Sequence, residues 1–194
     1  MLDAILKTMN EISETKMKET FEIPRFFDEL EEFDGDTDIP IISIEDPKPT
    51  YTYLITRNES LEGDLHPITG VPFEKRQIDL GAGEIIEGVF PEFDSVFDAH
   101  IPEDLFQETD YKQFKECNKQ LFESIENNPD IKSKFTIEQL EQIKEGMSDG
   151  TAPDGYVWHH SYEQGKMQLV DFDTHAYTGH TGGKTVWGGG NERR

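Results

Sequence analysis

Four of the six histidines in this 194-residue chain, His159, His160, His175 and His180, fall within 22 positions near its C-terminal end. The 150 residues before residue 151 supply only His66 and His100. Neutral imidazole is a common ligand for divalent metals, and three such ligands with one open position make a catalytic centre. Structural zinc sites are closed by four ligands and favour thiolates. The chain has one cysteine, Cys117, so neither a closed thiolate site nor an internal disulfide can form. Chance His-His pairs and lone packing histidines are the competing reading. Four histidines in one compact stretch without cysteine partners favour a metal site.

The elements around these residues can be read from their neighbours. Tyr156, Val157 and Trp158 favour a strand that runs into His159 and His160. Residues 161–166 contain Gly165 and read as a turn, and Met167–Val170 as a second strand. Asp171, Asp173 and Thr174 offer caps for a short helix through His175, Ala176 and Tyr177, which Gly179 would end. Successive side chains of a strand point to opposite faces, so His159 and His160 cannot share one task. One should face the helix and the other the cleft outside. On an unbroken helix His180 would lie about 140° from His175, but a helix ending at Gly179 lets the chain fold back and bring the two together. Trp158 and Trp187 are expected in a small core behind the site. Gly182-Gly183 and Gly188–Gly190 permit close backbone approach or simply a flexible loop, and the sequence leaves both open.

Upstream, residues 2–20 carry Leu2, Ile5, Leu6, Met9 and Ile12 at helical spacing, a pattern expected of the end of a longer segment. Residues 26–46 are densely acidic. They read as a solvated loop, with a charged cover over the active region as the sharper alternative. Tyr51–Ile55 reads as a short strand, residues 72–90 as a β-hairpin turning at Gly81-Ala82-Gly83, and residues 91–101 as irregular or extended. His66 belongs to turn chemistry with Pro67 and Gly70, and His100 is expected to be structural. Helical spacing from Pro102 to about Asn128 breaks near Glu108, with Thr109 as a cap. Cys117 lies in this run as a half-buried structural thiol. Thr136 and Gln139 form a capping box for a helix with Leu140, Ile143 and Met147 inward, ending at Gly146 or soon after.

Charge divides the chain unevenly. Residues 1–150 hold 36 acids and 14 bases, net −22, whereas residues 151–194 hold 5 acids and 4 bases, net −1. An anionic body repels phosphate at long range, so nucleic-acid contact requires local positive charge from a metal and from Lys166, Lys184, Arg193 and Arg194. No apolar run approaches the length of a membrane span, and the N-terminus lacks the form of a cleaved signal peptide.

The segment DGYVWHH…GKMQLVDFDTHAYTGHTGG…VWGGG resembles the HNH/endonuclease VII superfamily, specifically the WHH-type nuclease toxins. HPITGVPF, GVFPEFDS and FTIEQLEQIKEG are similar to the body of such modules, so the resemblance spans roughly residues 62–194. It implies an α+β fold with a ββα-metal (HNH-like) nuclease core at residues 155–190, preceded by a helical and β-hairpin body. The chain then divides into an acidic appendage over residues 1–60 and a nuclease domain over 61–194. The resemblance also implies a metal-dependent DNase toxin using one divalent ion (Zn, Mg, Mn or Ni), with His160 as general base and His159, His175 and His180 as ligands. The superfamily's central Asn, which orients the base, has no counterpart between the histidine pairs. Gln168, Asp171 or Asp173 would have to substitute. DNA as substrate, a cognate immunity protein and secretion into the cytoplasm of a target bacterium, through LXG-type polymorphic toxins of type VII secretion, follow as expectations. The competing readings are an RNase toxin and a non-catalytic, metal-stabilised interaction module.

Overall fold

The computed structural model of the protein describes residues 48–190, all within one compact unit, Asp46–Arg194. The expected N-terminal helix and acidic run, and Arg193 and Arg194, lie outside the described residues. The architecture is mixed α+β, with two small sheets and a few helices, and a histidine cluster near the C-terminal end. It is consistent with an HNH-like metal nuclease core.

The first sheet joins β1 (Thr50–Tyr53), β2 (Phe73–Gly81) and β3 (Glu84–Pro91) in the order β1-β3-β2. β2 and β3 form the hairpin expected from sequence. Its turn uses positive φ at both Ala82 (50°) and Gly83 (80°), the twist that tight hairpins need. The second sheet has the order β4-β6-β5, with β4 (Phe97–His100), β5 (Tyr156–His160) and β6 (Lys166–Asp171) all antiparallel. β4 falls where the sequence suggested irregular or extended chain, and it is extended because its four residues gain a ladder from β6, about 70 residues away in sequence.

Helix α1 (Asp110–Asn127) follows a 3₁₀ turn at Glu103–Leu105, and the break comes at Thr109 as its residues predict. A short α2 (Pro129–Lys132) leads to α3 (Ile137–Asp149). The Thr136/Gln139 capping box is present, and α3 runs to Asp149 before Gly150 ends it at φ 77°. Both long helices pack on one face of the second sheet. Cys117, Leu121 and Ile125 of α1 and Ile143 of α3 meet Trp158, Met167 and Leu169, with Trp187 joining them. Each fully buried aliphatic side chain there contributes about 1.5–3 kcal/mol. Cys117 is completely buried, deeper than the half-buried position expected, and burial pushes its thiol pKa up.

Buried Asn118 links three elements. Its amide donates to the carbonyls of Gly146 and Thr151 at 3.0 and 2.9 Å, and its oxygen accepts from the Trp158 indole at 3.0 Å. A Cβ on Gly146 would collide with Asn118 and the Thr151 carbonyl, so glycine is what allows α3 to close on α1. The opposite face of the second sheet carries a smaller cluster of Val71, Phe93 and Val170, with Val157 against it.

Candidate metal centre and cleft

β5 is an edge strand, and its alternation decides where each histidine goes. Val157 and His159 share the face that carries Phe93, while Trp158 and His160 share the face toward α1. His159 thus faces α4 (Phe172–Thr178), as one member of the pair was expected to do. His160 does not look into open solvent. It is 7% exposed and packs between Phe114 and Trp187, at ring distances of 5.7 and 5.5 Å, because α1 covers that face.

Helix α4 begins where β6 stops. Asp171 caps it by accepting from the Thr174 amide at 2.8 Å, which holds the Asp171 carboxyl below its ordinary pKa. Gly179 follows the last turn at φ 52°, and the chain folds back to His180. Asn58, over a hundred residues upstream, donates to the carbonyls of Thr178 and Gly179 at 3.0 and 2.6 Å. It thereby satisfies acceptors that a helix end leaves unpaired. Thr178 is tied from another side, with its hydroxyl 2.8 Å from Thr69, which in turn contacts Nδ1 of the buried turn residue His66 at 3.0 Å.

This closure brings the rings of His159, His175 and His180 together. One nitrogen from each lies within 4.8 Å of the others. His180 Nε2 and His159 Nδ1 are 3.1 Å apart, and the ring centroids are 4.7–5.3 Å apart. Phe93 packs against all three rings, at 4.8, 5.5 and 5.1 Å. The His180 Nδ1 is buried without a hydrogen-bond partner among the described residues. Three converging nitrogens beside an apolar ring form a donor set that can hold a metal ion.

The three imidazoles are neutral. Burial, reinforced by the neighbouring imidazoles, holds His159 well below its ordinary pKa, and burial does the same to His175. His180 is pushed down to about 3, first by burial and then because a proton on it would repel one on His175 and the Arg57 guanidinium. A depressed folded pKa means that the unfolded chain takes up protons first. Stability is therefore intact above the unfolded value of 6.5 and is lost as pH falls from there toward 3. For metal-free protein, His180 alone is expected to remove about 2 kcal/mol between pH 7.5 and pH 5. Thermal unfolding at the two pH values reads this as a drop in Tm of about 4–8 °C.

A cleft of about 690 Å³ opens beside the free edge of β5, and its walls include Arg57, His159, His160, His175, His180 and Lys184. The short helix α5 (Gly183–Val186), not foreseen from sequence, forms part of the wall. Gly182 and Gly183 permit close approach here. A Cβ on Gly182 would sit 3.0 Å from the His160 carbonyl, and one on Gly183 would collide with the Ser161 carbonyl. Trp158 and Trp187 are both core residues, as expected.

The chain's match is to the family of DNase/tRNase domains of colicin-like bacteriocins, over residues 82–182. The protein belongs to the Colicin-DNase family. This colicin-type domain is a nuclease-toxin domain, and its matched region ends two residues beyond the last of the clustered histidines. Comparison with curated proteins and comparison with solved structures each gave no match.

Around the histidine cluster of this colicin-type domain, the other expected residues fall differently. Gln168 lies opposite His159 in the strand ladder, Asp171 caps α4, and Asp173 is exposed in its first turn. The side chain against His160 is Gln113 of α1, at 2.7 Å. Lys166 pairs with Glu163 at 2.8 Å and Asp98 at 3.5 Å. Lys184 is buried with its Nζ 2.8 Å from Asp110, so its charge faces a carboxylate within the protein. Arg57 escaped the sequence reading. Its amide donates to the Thr181 hydroxyl at 2.9 Å, and its guanidinium lies where a Cβ on Gly179 would be. The local signal for it was a lone arginine before Asn58 in a segment that otherwise reads as a connector.

Proposed function

We propose that this domain is a metal-dependent endonuclease of the HNH type, WHH subclass, that hydrolyses the phosphodiester bonds of DNA. The observation that carries the proposal is the convergence of three neutral imidazole nitrogens within 4.8 Å, with a fourth imidazole on the next residue of the same strand. His159, His175 and His180 would hold one divalent ion. An all-nitrogen donor set suits zinc or nickel better than magnesium. A bound ion would supply positive charge to the scissile phosphate and its leaving oxygen.

His160 is the general base that removes a proton from the attacking water. Its place on the wall of the same cleft supports that role. Arg57 is solvent-exposed beside the histidine cluster and forms no ion pair within 4 Å among the described residues, which suits it to bind a phosphate oxygen. The anionic body makes this local charge necessary for substrate capture. Trp158 and Trp187 are each 3% exposed and offer no face on which a base could stack, which favours a substrate gripped by its backbone.

As a toxin, the domain would act in the cytoplasm of a competing bacterium after export, by the type VII route if it is carried by an LXG-type polymorphic toxin, and a cognate immunity protein would protect the producer. No helix among the described residues is long and apolar enough to cross a membrane.

Chelation tests the reading. Protein treated with EDTA is expected to lose plasmid nicking and to regain it with added zinc or nickel, while tRNA offered in parallel stays intact. Cleavage of tRNA alone would replace the DNase reading with an RNase. Nicking that survives chelation would overturn the metal centre. A chain that only unfolds on chelation and never cuts would be an interaction module.

A further inference from the structure

Helix α1 carries a buried polar group where its apolar stripe should begin. Gln113, Cys117, Leu121 and Ile125 recur every four residues on the face turned to the second sheet, and Gln113 is completely buried. An amide in such a place must be satisfied at both ends, and this one is. Its nitrogen donates to the carbonyls of Leu105 and Phe106 at 2.8 and 2.9 Å. Its oxygen faces His160 Nε2 at 2.7 Å and the Lys184 ammonium at 3.3 Å.

The orientation of this amide is fixed from two directions. Two carbonyl oxygens at one end can only accept, so the group facing them is the NH₂. The ammonium at the other end can only donate, so the atom facing it is the oxygen. Among the described residues a further neighbour of His160 Nε2 is also an acceptor, Asp110 Oδ1 at 3.8 Å. An imidazole that carries a single ring proton therefore holds it on Nε2.

We propose that Gln113 is the positioning residue for His160, its side-chain oxygen accepting the Nε2 proton and so fixing the tautomer whose Nδ1 is the proton-accepting atom. The proposal rests on the reading of His160 as the base. Lys184 and Asp110 support it from behind, since the ammonium between them holds the Gln113 oxygen in place. Gln113 thus fills, from a helix more than 40 residues upstream, the orienting role for which the histidine stretch itself has no asparagine.

Two measurements test it on the full chain. Long-range ¹H–¹⁵N spectra of the wild-type protein, with His160 assigned by comparison with His160→Ala, should show the Nε2–H tautomer. An Nδ1–H tautomer would overturn the proposal without any activity measurement. The second measurement is the Gln113→Met variant, which keeps the length of the side chain and loses the acceptor. It is expected to lower kcat roughly 10–100-fold with zinc affinity and KM nearly unchanged. A folded variant with kcat within twofold of wild type would also overturn it. If Gln113→Met fails to fold, the wild-type tautomer decides. Full activity in His160→Ala would instead remove the base reading, a result separate from the tautomer.

Discussion

Replacing His160 with alanine is expected to lower the rate of DNA cleavage by about 10²–10⁴-fold, the range that a positioned general base supplies. Zinc affinity should change little, because His160 points away from the three clustered rings and toward α1. Steady-state nicking of supercoiled plasmid gives the rate, and isothermal titration with zinc gives the affinity. The substitution leaves the Gln113 oxygen still facing the Lys184 ammonium, so the cleft wall retains a partner for that acceptor. Parallel loss of metal binding would mean that His160 belongs to the ligand set. Unchanged cleavage would mean that the proton goes elsewhere.

The second large effect belongs to His175. It is the one clustered histidine supplied by α4, and His175→Ala leaves two ring nitrogens where three converge. Affinity for zinc should fall by more than about 100-fold, beyond what loss of a supporting contact produces. Cleavage at a fixed, limiting zinc concentration should fall with it, and excess metal should recover part of it. His175 is only partly buried, so its removal is expected to leave the fold intact, which circular dichroism would check. Wild-type metal affinity in this variant would show that the three rings do not act as one site.

How far the sequence reveals this site depends on the distance over which each part is specified. The ββα order, the Asp171 cap, the stop at Gly179 and the opposite facing of His159 and His160 all follow from neighbours within a few residues, and all are present. The Thr136/Gln139 cap and the β2–β3 turn were legible for the same reason. What escaped depends on pairing across the chain. β4 has no strong alternation of its own and exists through β6. Arg57 is only a connector arginine until Asn58 fastens its segment to the end of α4. Gln113 was visible in principle as a polar residue in step with Cys117, Leu121 and Ile125. Only the folded chain supplies His160, Lys184 and two carbonyls to explain it. Lys184 misled in the opposite sense, since a cation near a histidine cluster suggests phosphate, and its partner Asp110 is 74 positions away.

The Asn58 clasp on the end of α4 has a consequence for which shortened forms of the chain could keep the histidine cluster assembled. Residues 57 and 58 precede the β2–β3 hairpin and both long helices, yet Asn58 fastens the turn that leads the chain back to His180. A shortened chain that starts after residue 58 would keep all four clustered histidines and lose the fastening that holds the end of α4 in place.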